Sequence, residues 1–549
     1  MKLSRREFTL AALAAGCASP GVASADLIIH GGPIYTGAAS APRAEAVRIS
    51  GGRFVVVGSL SDARTRGRGA REINLGGAAA LPGFTDSHVH LTGVGMAAMY
   101  LDLVGVESIA AMQQRLRDYA ATHREGAIIG RGWIETHWPE HRFPTRADLD
   151  AVVSDRPVYL ERIDGHAAIV NSAALALAGI GANTTNPAGG AIERDASGAA
   201  TGMLIDNATG LVQSRLPAPT REMVRQAIAE GARIYASRGW VGICNMSTSL
   251  AETGVFEELA RANALPLRAD IYLTPEDAGA VLERGPYGEG LVHVRGVKMY
   301  MDGALGSRGA ALLAPYNDAA SNGLLVTPPD QLRAMLANAR ARGVQVATHA
   351  IGDRGNRLVL DAYRDTFAND PAALRAARWR IEHAQIISPP DIPRFAAQGV
   401  IASMQPSHAI SDLYFAPSRL GPDRLAGAYA WRSLLDSGAV ICGGSDAPVE
   451  KGDPLIEFYA AAYRHDLQGA AGADWHLDQA VSRDRALAMF TTAAAFATFA
   501  EIDRGAIAVG QRADLSVFSA DLMSAPPAEI AGAHAVLTVS EGRITHEAL

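Results

Sequence analysis

Apolar residues along the middle of the chain form short runs that alternate with helix-like segments. Buried parallel strands appear as near-continuous apolar runs, whereas surface helices space their apolar residues three or four positions apart. Residues 331–342 show the helical spacing, and Gly343 follows as a stop signal. The runs typical of buried strands lie at 84–90, 240–246, 267–273, 294–300, 344–349, 379–383, 399–404 and 439–445. The alternation predicts βα units and a parallel sheet.

Eight such strands predict an α/β fold, a (β/α)8 barrel of the TIM type, over residues 81–504. The stretch between the first two strands is much longer than one βα unit needs. We therefore predict an α/β insertion after the first strand, at about 97–225.

The two ends of the chain share a different pattern. Residues 26–80 and 505–549 alternate apolar and polar positions between glycine-rich turns, which is typical of half-buried antiparallel strands. We expect both ends to form one composite β-sandwich domain.

Residues 1–25 have the composition of an export segment. The paired Arg5 and Arg6 precede a short apolar stretch and a small-residue exit that ends at Ala25. The segment resembles a twin-arginine signal peptide and predicts a periplasmic or secreted protein, cleaved after Ala25. Its apolar part is too short for a stable transmembrane segment. The alternative is a lipoprotein, with Cys17 as the lipid-bearing residue.

Composition restricts the class of partner. Of 549 residues, 48% are hydrophobic and 19% charged, which is ordinary globular usage. The net charge of −7, without a long basic run, argues against nucleic acid as a partner. A small-molecule substrate is expected, and a homo-oligomer is compatible with the composition. Cys244 and Cys442 lie in apolar runs and are expected to be buried thiols.

Two histidines end the first barrel strand. His88 and His90 are two positions apart, so on a strand their side chains point to the same face and can reach one ion.

Three further polar residues follow other predicted strands at their carboxyl ends: His349, His383 and Asp446. Each has an ordinary structural explanation alone, since a histidine can be a satisfied core group and an aspartate can cap a helix. Together they lie on the rim where barrels of this type hold their active sites. Imidazole and carboxylate ligands predict a divalent metal, with Zn²⁺ the best fit and Mn²⁺, Fe²⁺ or Co²⁺ as alternatives.

The order and spacing of these motifs resemble the amidohydrolase superfamily, in the N-substituted formamide deformylase-like branch (amidohydrolase family 3). The resemblance is carried by Pro-Gly-Phe-Thr-Asp-Ser-His-Val-His, Asp-Gly-His, Thr-His-Ala-Ile-Gly-Asp, Glu-His and Gly-Ser-Asp-Ala-Pro-Val. It implies a metal-binding barrel with one or two ions held by His88, His90, Lys298, His349, His383 and Asp446.

Lys298 is the only lysine in that ligand set, and its chemical state decides how many ions the site can hold. The resemblance implies that it is carbamylated and bridges two ions, and a lysine among cations has a lowered pKa that favours reaction with CO₂. The alternative is a lysine that pairs with Asp302, which leaves a site for a single ion.

Two residues are candidates for catalysis. Asp446 can accept a proton from the attacking water and return it to the leaving nitrogen. His166, in Asp-Gly-His, is a candidate for contacting the substrate carbonyl oxygen, with a hydrogen bond that orders its loop as the alternative.

The sequence therefore predicts an exported, metal-dependent amidohydrolase that cleaves a non-peptide C–N bond of the amide or formamide type with metal-activated water. The same centre could act on an ester, lactone or carbamate, because metal-activated water can attack the carbonyl carbon of these groups as well as that of an amide. A non-enzymatic alternative is a metal-binding barrel that has lost activity.

Overall fold

The structure is a computed structural model that describes residues 26–38, 40–66, 69–135, 138–162, 167–187, 190–472 and 475–549. The predicted signal peptide, the alternative lipidation residue Cys17 and the candidate His166 lie outside the described residues.

The strands of the described residues belong to three sheets. In chain order they are β1 (Leu27–Tyr35), β2 (Arg43–Ser50), β3 (Arg53–Gly58), β4 (Arg71–Asn74), β5 (Ala79–Pro82), β6 (Phe84–Val89), β7 (Leu101–Asp102), β8 (Ile128–Trp133), β9 (Val158–Arg162), β10 (Ala167–Val170), β11 (Gly190–Arg194), β12 (Ala200–Asp206), β13 (Trp240–Thr248), β14 (Arg268–Leu273), β15 (Tyr287–Glu289), β16 (Val292–Tyr300), β17 (Gln345–Ala350), β18 (Arg380–His383), β19 (Ile401–Met404), β20 (Ile441–Gly443), β21 (Leu515–Phe518), β22 (Ala535–Ser540) and β23 (Arg543–Glu547).

The α-helices lie mostly between barrel strands. They are α1 (Leu60–Thr65), α2 (Leu91–Met99), α3 (Ile109–Thr122), α4 (Arg146–Asp150), α5 (Ser172–Leu177), α6 (Thr209–Gln213), α7 (Arg221–Arg238), α8 (Leu250–Arg261), α9 (Gly279–Arg284), α10 (Pro329–Ala341), α11 (Asp353–Thr366), α12 (Pro371–Ala377), α13 (Ile392–Gln398), α14 (Pro406–Asp412), α15 (Ala416–Leu420), α16 (Trp431–Asp436), α17 (Pro454–Tyr463), α18 (Arg483–Phe490), α19 (Thr492–Ala497) and α20 (Pro527–Gly532). Short 3₁₀ helices span Pro389–Asp391, Pro422–Gly427 and Leu477–Gln479.

Eight parallel strands form the central barrel, in the order β6, β13, β14, β16, β17, β18, β19, β20. The first and last strands of this order, β6 and β20, come together near their carboxyl ends. There the N–H groups of Asp446 and Ser445, just after β20, donate to the carbonyl of His88 at 2.7 and 3.3 Å. All eight strands predicted from apolar runs are present, and the predicted (β/α)8 fold class is confirmed.

Local signals place the barrel elements. Helix α7 ends at Gly239, whose φ of 104° lies in the left-handed region that glycine adopts without strain. Strand β13 follows at once, and Ser249 with Glu252 then forms a capping box that starts α8. The helix predicted at 331–342 is α10, which buries Leu332, Leu336 and Ala339.

The two ends of the chain form one further sheet. Strands β21, β22 and β23 join β1 to β5 through the antiparallel pairing of β21 with β5. Residues from both ends, such as Ile29 and Leu537, share one apolar core. A buried Arg268 of β14 ties this sheet to the base of the barrel, since it pairs with Asp514 and, at 2.9 Å, with Glu541.

A third sheet of six strands, β7 to β12, lies between the first two barrel strands. It has its own apolar core, which includes the wholly buried Trp133 and Leu160. The insertion touches the barrel where Arg131 donates to the carbonyl of Pro448 at 3.5 Å.

Within the part of the chain that the structure describes, each helix is either too short or too polar to cross a bilayer.

Cys244 and Cys442 are free and buried, as their apolar surroundings predict. Burial raises the pKa of the Cys244 thiol to about 12, so this thiol is unreactive at neutral pH.

Candidate metal centre

The barrel brings the predicted ligands to one end of its strands. His88, Lys298, His349 and His383 belong to β6, β16, β17 and β18, and His90 and Asp446 lie just beyond β6 and β20. The parallel register places Ala350 beside His383 and His349 beside Glu382. The six residues therefore surround the carboxyl end of the barrel, where barrels of this type carry out chemistry.

Three of these residues converge most tightly. One nitrogen each of His88 and His383 and one carboxylate oxygen of Asp446 lie within 4.8 Å of one another. All three residues are buried. Buried imidazole and carboxylate groups that face one point have the donor atoms that divalent ions bind.

Hydrogen bonds determine which ring nitrogen carries the proton in three of the imidazoles. The Nδ1 atom of His88 lies 2.6 Å from Oε2 of Glu382, that of His90 lies 3.1 Å from the Met246 carbonyl, and that of His383 lies 2.9 Å from Oε1 of Gln405. These oxygens accept hydrogen bonds, so each Nδ1 carries the proton. The lone pair of each Nε2 is therefore left for a metal ion.

The two first-strand imidazoles both approach Asp446. The Nε2 atoms of His88 and His90 lie 3.5 and 3.3 Å from Oδ1 of Asp446. With both Nδ1 atoms protonated, the lone pairs of these two Nε2 atoms and the carboxylate oxygen face the same space. The carboxylate oxygen of Asp446 can therefore bind the same ion as these nitrogens.

Burial also keeps the ligand imidazoles neutral. Desolvation, reinforced by the Lys298 ammonium, lowers the pKa of His88 to about 4 and that of His349 to about 3. Neutral imidazoles bind metal ions, whereas imidazolium cations do not. These two imidazoles therefore have no proton to lose at neutral pH before they bind a cation.

Lys298 lies inside this group rather than beside Asp302. Its Nζ atom is 3.3 Å from Nε2 of His88, and the residue is 1% exposed. Burial lowers its pKa to about 8. An ammonium at this position occupies the lone pair that an ion would need, so the lysine must be neutral or modified when a metal binds His88.

Asp302 holds the loops around His349. Its carboxylate accepts backbone N–H groups of Ile351 at 2.9 Å and of Ala311 and Gly352 at 2.8 Å each. Nε2 of His349 lies 3.6 Å from Oδ1 of Asp302 and is buried without a hydrogen-bond partner among the described residues. The His349 ring lies 4.5 Å from that of His383.

Left-handed backbone at two strand ends turns ligands into the site. His383 has φ of 70° and Asp446 has φ of 58°, which is uncommon for residues other than glycine. At His383 this conformation breaks the alternation of the strand, so Glu382 and His383 both contact site histidines. Such strained residues are frequent at functional sites.

Asp86 joins the first and last barrel strands beneath the ligands. Its Oδ1 atom accepts the N–H groups of His88 at 3.0 Å and Ser445 at 2.9 Å, and its Oδ2 atom accepts the Ser445 hydroxyl at 2.6 Å. Burial raises the pKa of Asp86 to about 6. The same residue therefore sets the positions of both His88 and the loop that leads to Asp446.

The sequence motifs did not identify two further residues at the centre. Glu382 orients His88 and is held by the buried Arg380, whose guanidinium also donates to Ser403 Oγ at 2.6 Å. His408, on α14, places Nε2 at 3.6 Å from Oδ2 of Asp446. In the sequence, Glu382 could have been found from its position directly before His383. His408 could have been found from the Gln-Pro-Ser-His segment that follows β19.

The donor set fits a divalent cation. Nitrogen and carboxylate ligands of this kind suit Zn²⁺ and other first-row ions. His88, His383 and Asp446 would hold the ion, with His90, Lys298 and His349 as the neighbouring groups that complete or extend the site.

Comparisons with known proteins agree with the geometry. The family model described as the amidohydrolase family matches residues 71–546. The putative amidohydrolase YtcJ of Bacillus subtilis (strain 168) is 35% identical over 540 residues, which cover 95% of this chain and 99% of that protein. An N-substituted formamide deformylase of Arthrobacter pascens is 27% identical over 548 residues, covering 95% and 98% of the two chains.

Solved structures show the same relationship. An uncharacterized metal-dependent hydrolase from Pyrococcus horikoshii OT3 superimposes with a TM-score of 0.78 at 26% identity, covering 92% of this chain and 99% of that one. The chain therefore belongs to the amidohydrolase family and is a metal-dependent amidohydrolase, a hydrolase of C–N bonds other than peptide bonds.

Proposed function

We propose that the protein is an exported enzyme that hydrolyses small non-peptide amides, with N-substituted formamides as the first candidates. The observation that carries this proposal is the convergence of His88, His383 and Asp446 within 4.8 Å at the carboxyl end of the barrel. The formamide class is suggested by the similarity to the deformylase of Arthrobacter pascens. Export is suggested by the paired Arg5 and Arg6.

The metal at this centre is proposed to be divalent, with Zn²⁺ as the first choice because imidazole nitrogens dominate the donor set. When bound, such an ion polarises a carbonyl group and lowers the pKa of water.

Carbamylated Lys298 is proposed to allow two ions to bind. Its Nζ atom lies among the ligands, 3.3 Å from Nε2 of His88. Addition of CO₂ to the neutral amine forms a new N–C bond and releases one proton, which converts a cationic group into an anionic ligand. That change removes the repulsion that an ammonium would exert on a cation.

Asp446 is the proposed proton carrier. It is ionised, and its two oxygens face different groups, since Oδ1 lies near His88 and His90 whereas Oδ2 faces His408. One oxygen can accept a proton from the attacking water and deliver it to the leaving nitrogen as the C–N bond breaks. Glu382 and Gln405 keep the imidazoles in the tautomer that this arrangement needs.

A substrate screen tests the proposal. Purified protein loaded with Zn²⁺ is assayed against matched formamides, acetamides, esters, lactones and carbamates, with chelator-treated protein and Asp446→Asn as controls. We expect kcat/KM to be highest for a small amide. Faster hydrolysis of an ester, lactone or carbamate than of every amide would overturn the assignment.

A further inference from the structure

We infer that His408 and Asp446 hold the departing nitrogen of the substrate between them, and that the enzyme therefore prefers amides whose scissile nitrogen carries a hydrogen. This inference rests on the proposed amidase function and names the substrate feature that the site recognises. It depends on the position of one imidazole outside the predicted ligand set.

His408 is a buried polar group without a satisfied partner. It is 8% exposed, and its Nε2 atom has no hydrogen-bond partner among the described residues. Leaving such a group unpaired costs about 1–3 kcal/mol, and most buried polar atoms in proteins are paired. A ligand that bonds to Nε2 of His408 would remove this cost.

Asp446 lies between His408 and the ligand imidazoles. Its Oδ1 atom is 3.5 Å from Nε2 of His88 and 3.3 Å from Nε2 of His90, whereas its Oδ2 atom is 3.6 Å from Nε2 of His408. One carboxylate oxygen therefore faces the metal ligands. The other has as its nearest imidazole that of His408, which the ligand set does not use.

The separation of Nε2 and Oδ2 suits an atom placed between them. At 3.6 Å the two atoms are too far apart for a direct hydrogen bond. A third atom that approaches both from one side can lie about 2.9 Å from each, which is ordinary hydrogen-bond distance. With the proton of His408 on Nδ1, a nitrogen that has an N–H and a lone pair satisfies both atoms, because the N–H donates to Nε2 of His408 and the lone pair receives the proton from Asp446.

The surroundings hold His408 in place for this contact. Its ring stacks on that of His383, with centroids 5.9 Å apart and an interplanar angle of 16°. The N–H of Ser407 donates to Oε2 of Glu457 at 3.0 Å, which anchors the first turn of α14. The ring contact and the anchored turn therefore restrict where the imidazole can lie before a substrate enters.

The reaction balances with this assignment. Water adds its oxygen to the carbonyl carbon, and one of its protons passes to Asp446. The C–N bond then breaks, its electron pair remains on nitrogen, and the proton on Asp446 passes to that pair. The N–H already present on the nitrogen stays bonded to His408 throughout, so the amine leaves with its new proton facing Asp446.

A tertiary amide has a carbon group in place of that N–H. The methyl group of an N-methyl analogue would displace the hydrogen bond and leave Nε2 of His408 unpaired. Sites built to bond an N–H discriminate strongly against analogues that lack it, so we expect a preference of about 10²–10⁴ for the N–H substrate.

The test compares para-nitroformanilide with its N-methyl analogue, because both release a chromophoric amine. The ratio of their kcat/KM values is measured for the Zn²⁺-loaded wild type, His408→Phe and His408→Gln, with metal content recorded for each. His476→Phe, at a site outside the centre, is the matched control. Calorimetry with n-butylamine reports binding of an amine without catalysis.

In His408→Phe we expect the ratio of the two kcat/KM values to fall to about 10 or less, because the variant loses one hydrogen bond of about 1.4 kcal/mol or more. The metal content should stay unchanged. His408→Gln should retain part of the ratio, and n-butylamine should bind about tenfold more weakly to His408→Phe. A wild type that hydrolyses both anilides equally, or a ratio unchanged in His408→Phe, overturns the inference and leaves the amidase proposal intact. Turnover of no amide at all overturns the proposed function, and the inference fails with it.

Discussion

The Nδ1 atom of His88 lies 2.6 Å from Oε2 of Glu382, and both side chains are wholly buried. Burial would raise the pKa of Glu382, but Arg380 and His88 lower it to about 2. A carboxylate that accepts from a ligand histidine fixes its tautomer and makes it a stronger ligand. Glu382 is therefore a positioning residue for the metal centre.

We expect Glu382→Gln to weaken metal binding about 10- to 100-fold, because a neutral amide is a poorer acceptor for the imidazole N–H. The same change leaves the buried Arg380 without its carboxylate, which should lower the free energy of unfolding by about 3–5 kcal/mol. Chelator competition and chemical denaturation measure the two effects. The surface variant Glu230→Gln, which loses only an exposed ion pair with Arg233, is the control. Equal metal affinity in the two variants would show that Glu382 does not position His88 for metal binding.

Lys298→Ala should lower the metal content of the purified protein, with partial recovery on addition of a short-chain carboxylic acid that replaces the carbamate. Elemental analysis gives the metal content. Growth with isotopically labelled bicarbonate should also give a carbamate signal by NMR in the wild type and none in the variant. Full metal occupancy in Lys298→Ala would remove this lysine from the ligand set.

Asp446→Asn keeps the size of the side chain and one ligand oxygen but removes the proton acceptor. We expect most of the metal to be retained while kcat falls by about 10²–10⁴. The acidic limb of kcat/KM in the wild type should disappear or move in the variant. A near-normal rate with the same pH profile would show that another group handles the proton.

Glu457 is a buried acid that should make stability depend on pH. Burial raises its pKa well above the usual value, and its Oε1 atom has no partner among the described residues. The folded protein binds the proton more tightly than the unfolded chain, so stability is full below the unfolded pKa of about 4.5 and falls as pH rises above it.

Glu457→Gln should therefore be more stable than the wild type at neutral pH, by about 1–3 kcal/mol, with the difference shrinking as the pH falls toward that of the unfolded pKa. Denaturant titrations over a pH series measure the difference. The exposed Glu289→Gln should track the wild type. A constant offset at every pH would contradict the assignment.

The proposal of export rests on the paired Arg5 and Arg6, which precede the described residues. We expect Arg5→Lys combined with Arg6→Lys to keep the protein in the cytoplasm, because a receptor reads the paired guanidinium groups. Fractionation and the size of the mature chain report the result. Normal processing of the double variant would exclude twin-arginine export, and labelling of Cys17 by lipid would favour the lipoprotein alternative.

Apolar runs located all eight barrel strands, because strands buried on both faces carry an unbroken signal. Strand ends were less certain: the strand predicted at 294–300 begins at Val292. The joint part of Glu382 and His383 could not be deduced from alternation, because that rule places only one of two neighbouring side chains on the site face, whereas both contact site histidines. His408 lies on a helix after its strand, and a rule based on strand ends does not reach it.

The pairing of β21 with β5 also determines the order in which the protein can be completed during synthesis. The ribosome makes β1 to β5 first, but their partners β21, β22 and β23 emerge only after the whole barrel has been translated. Until then, core residues such as Ile29 lack the part of their apolar core that the end of the chain supplies, such as Leu537, and Arg268 lacks Asp514 and Glu541. Removal of the last three strands would leave the edge of β5 unpaired and this apolar sheet face exposed, so we expect the shortened chain to aggregate rather than form a smaller active barrel.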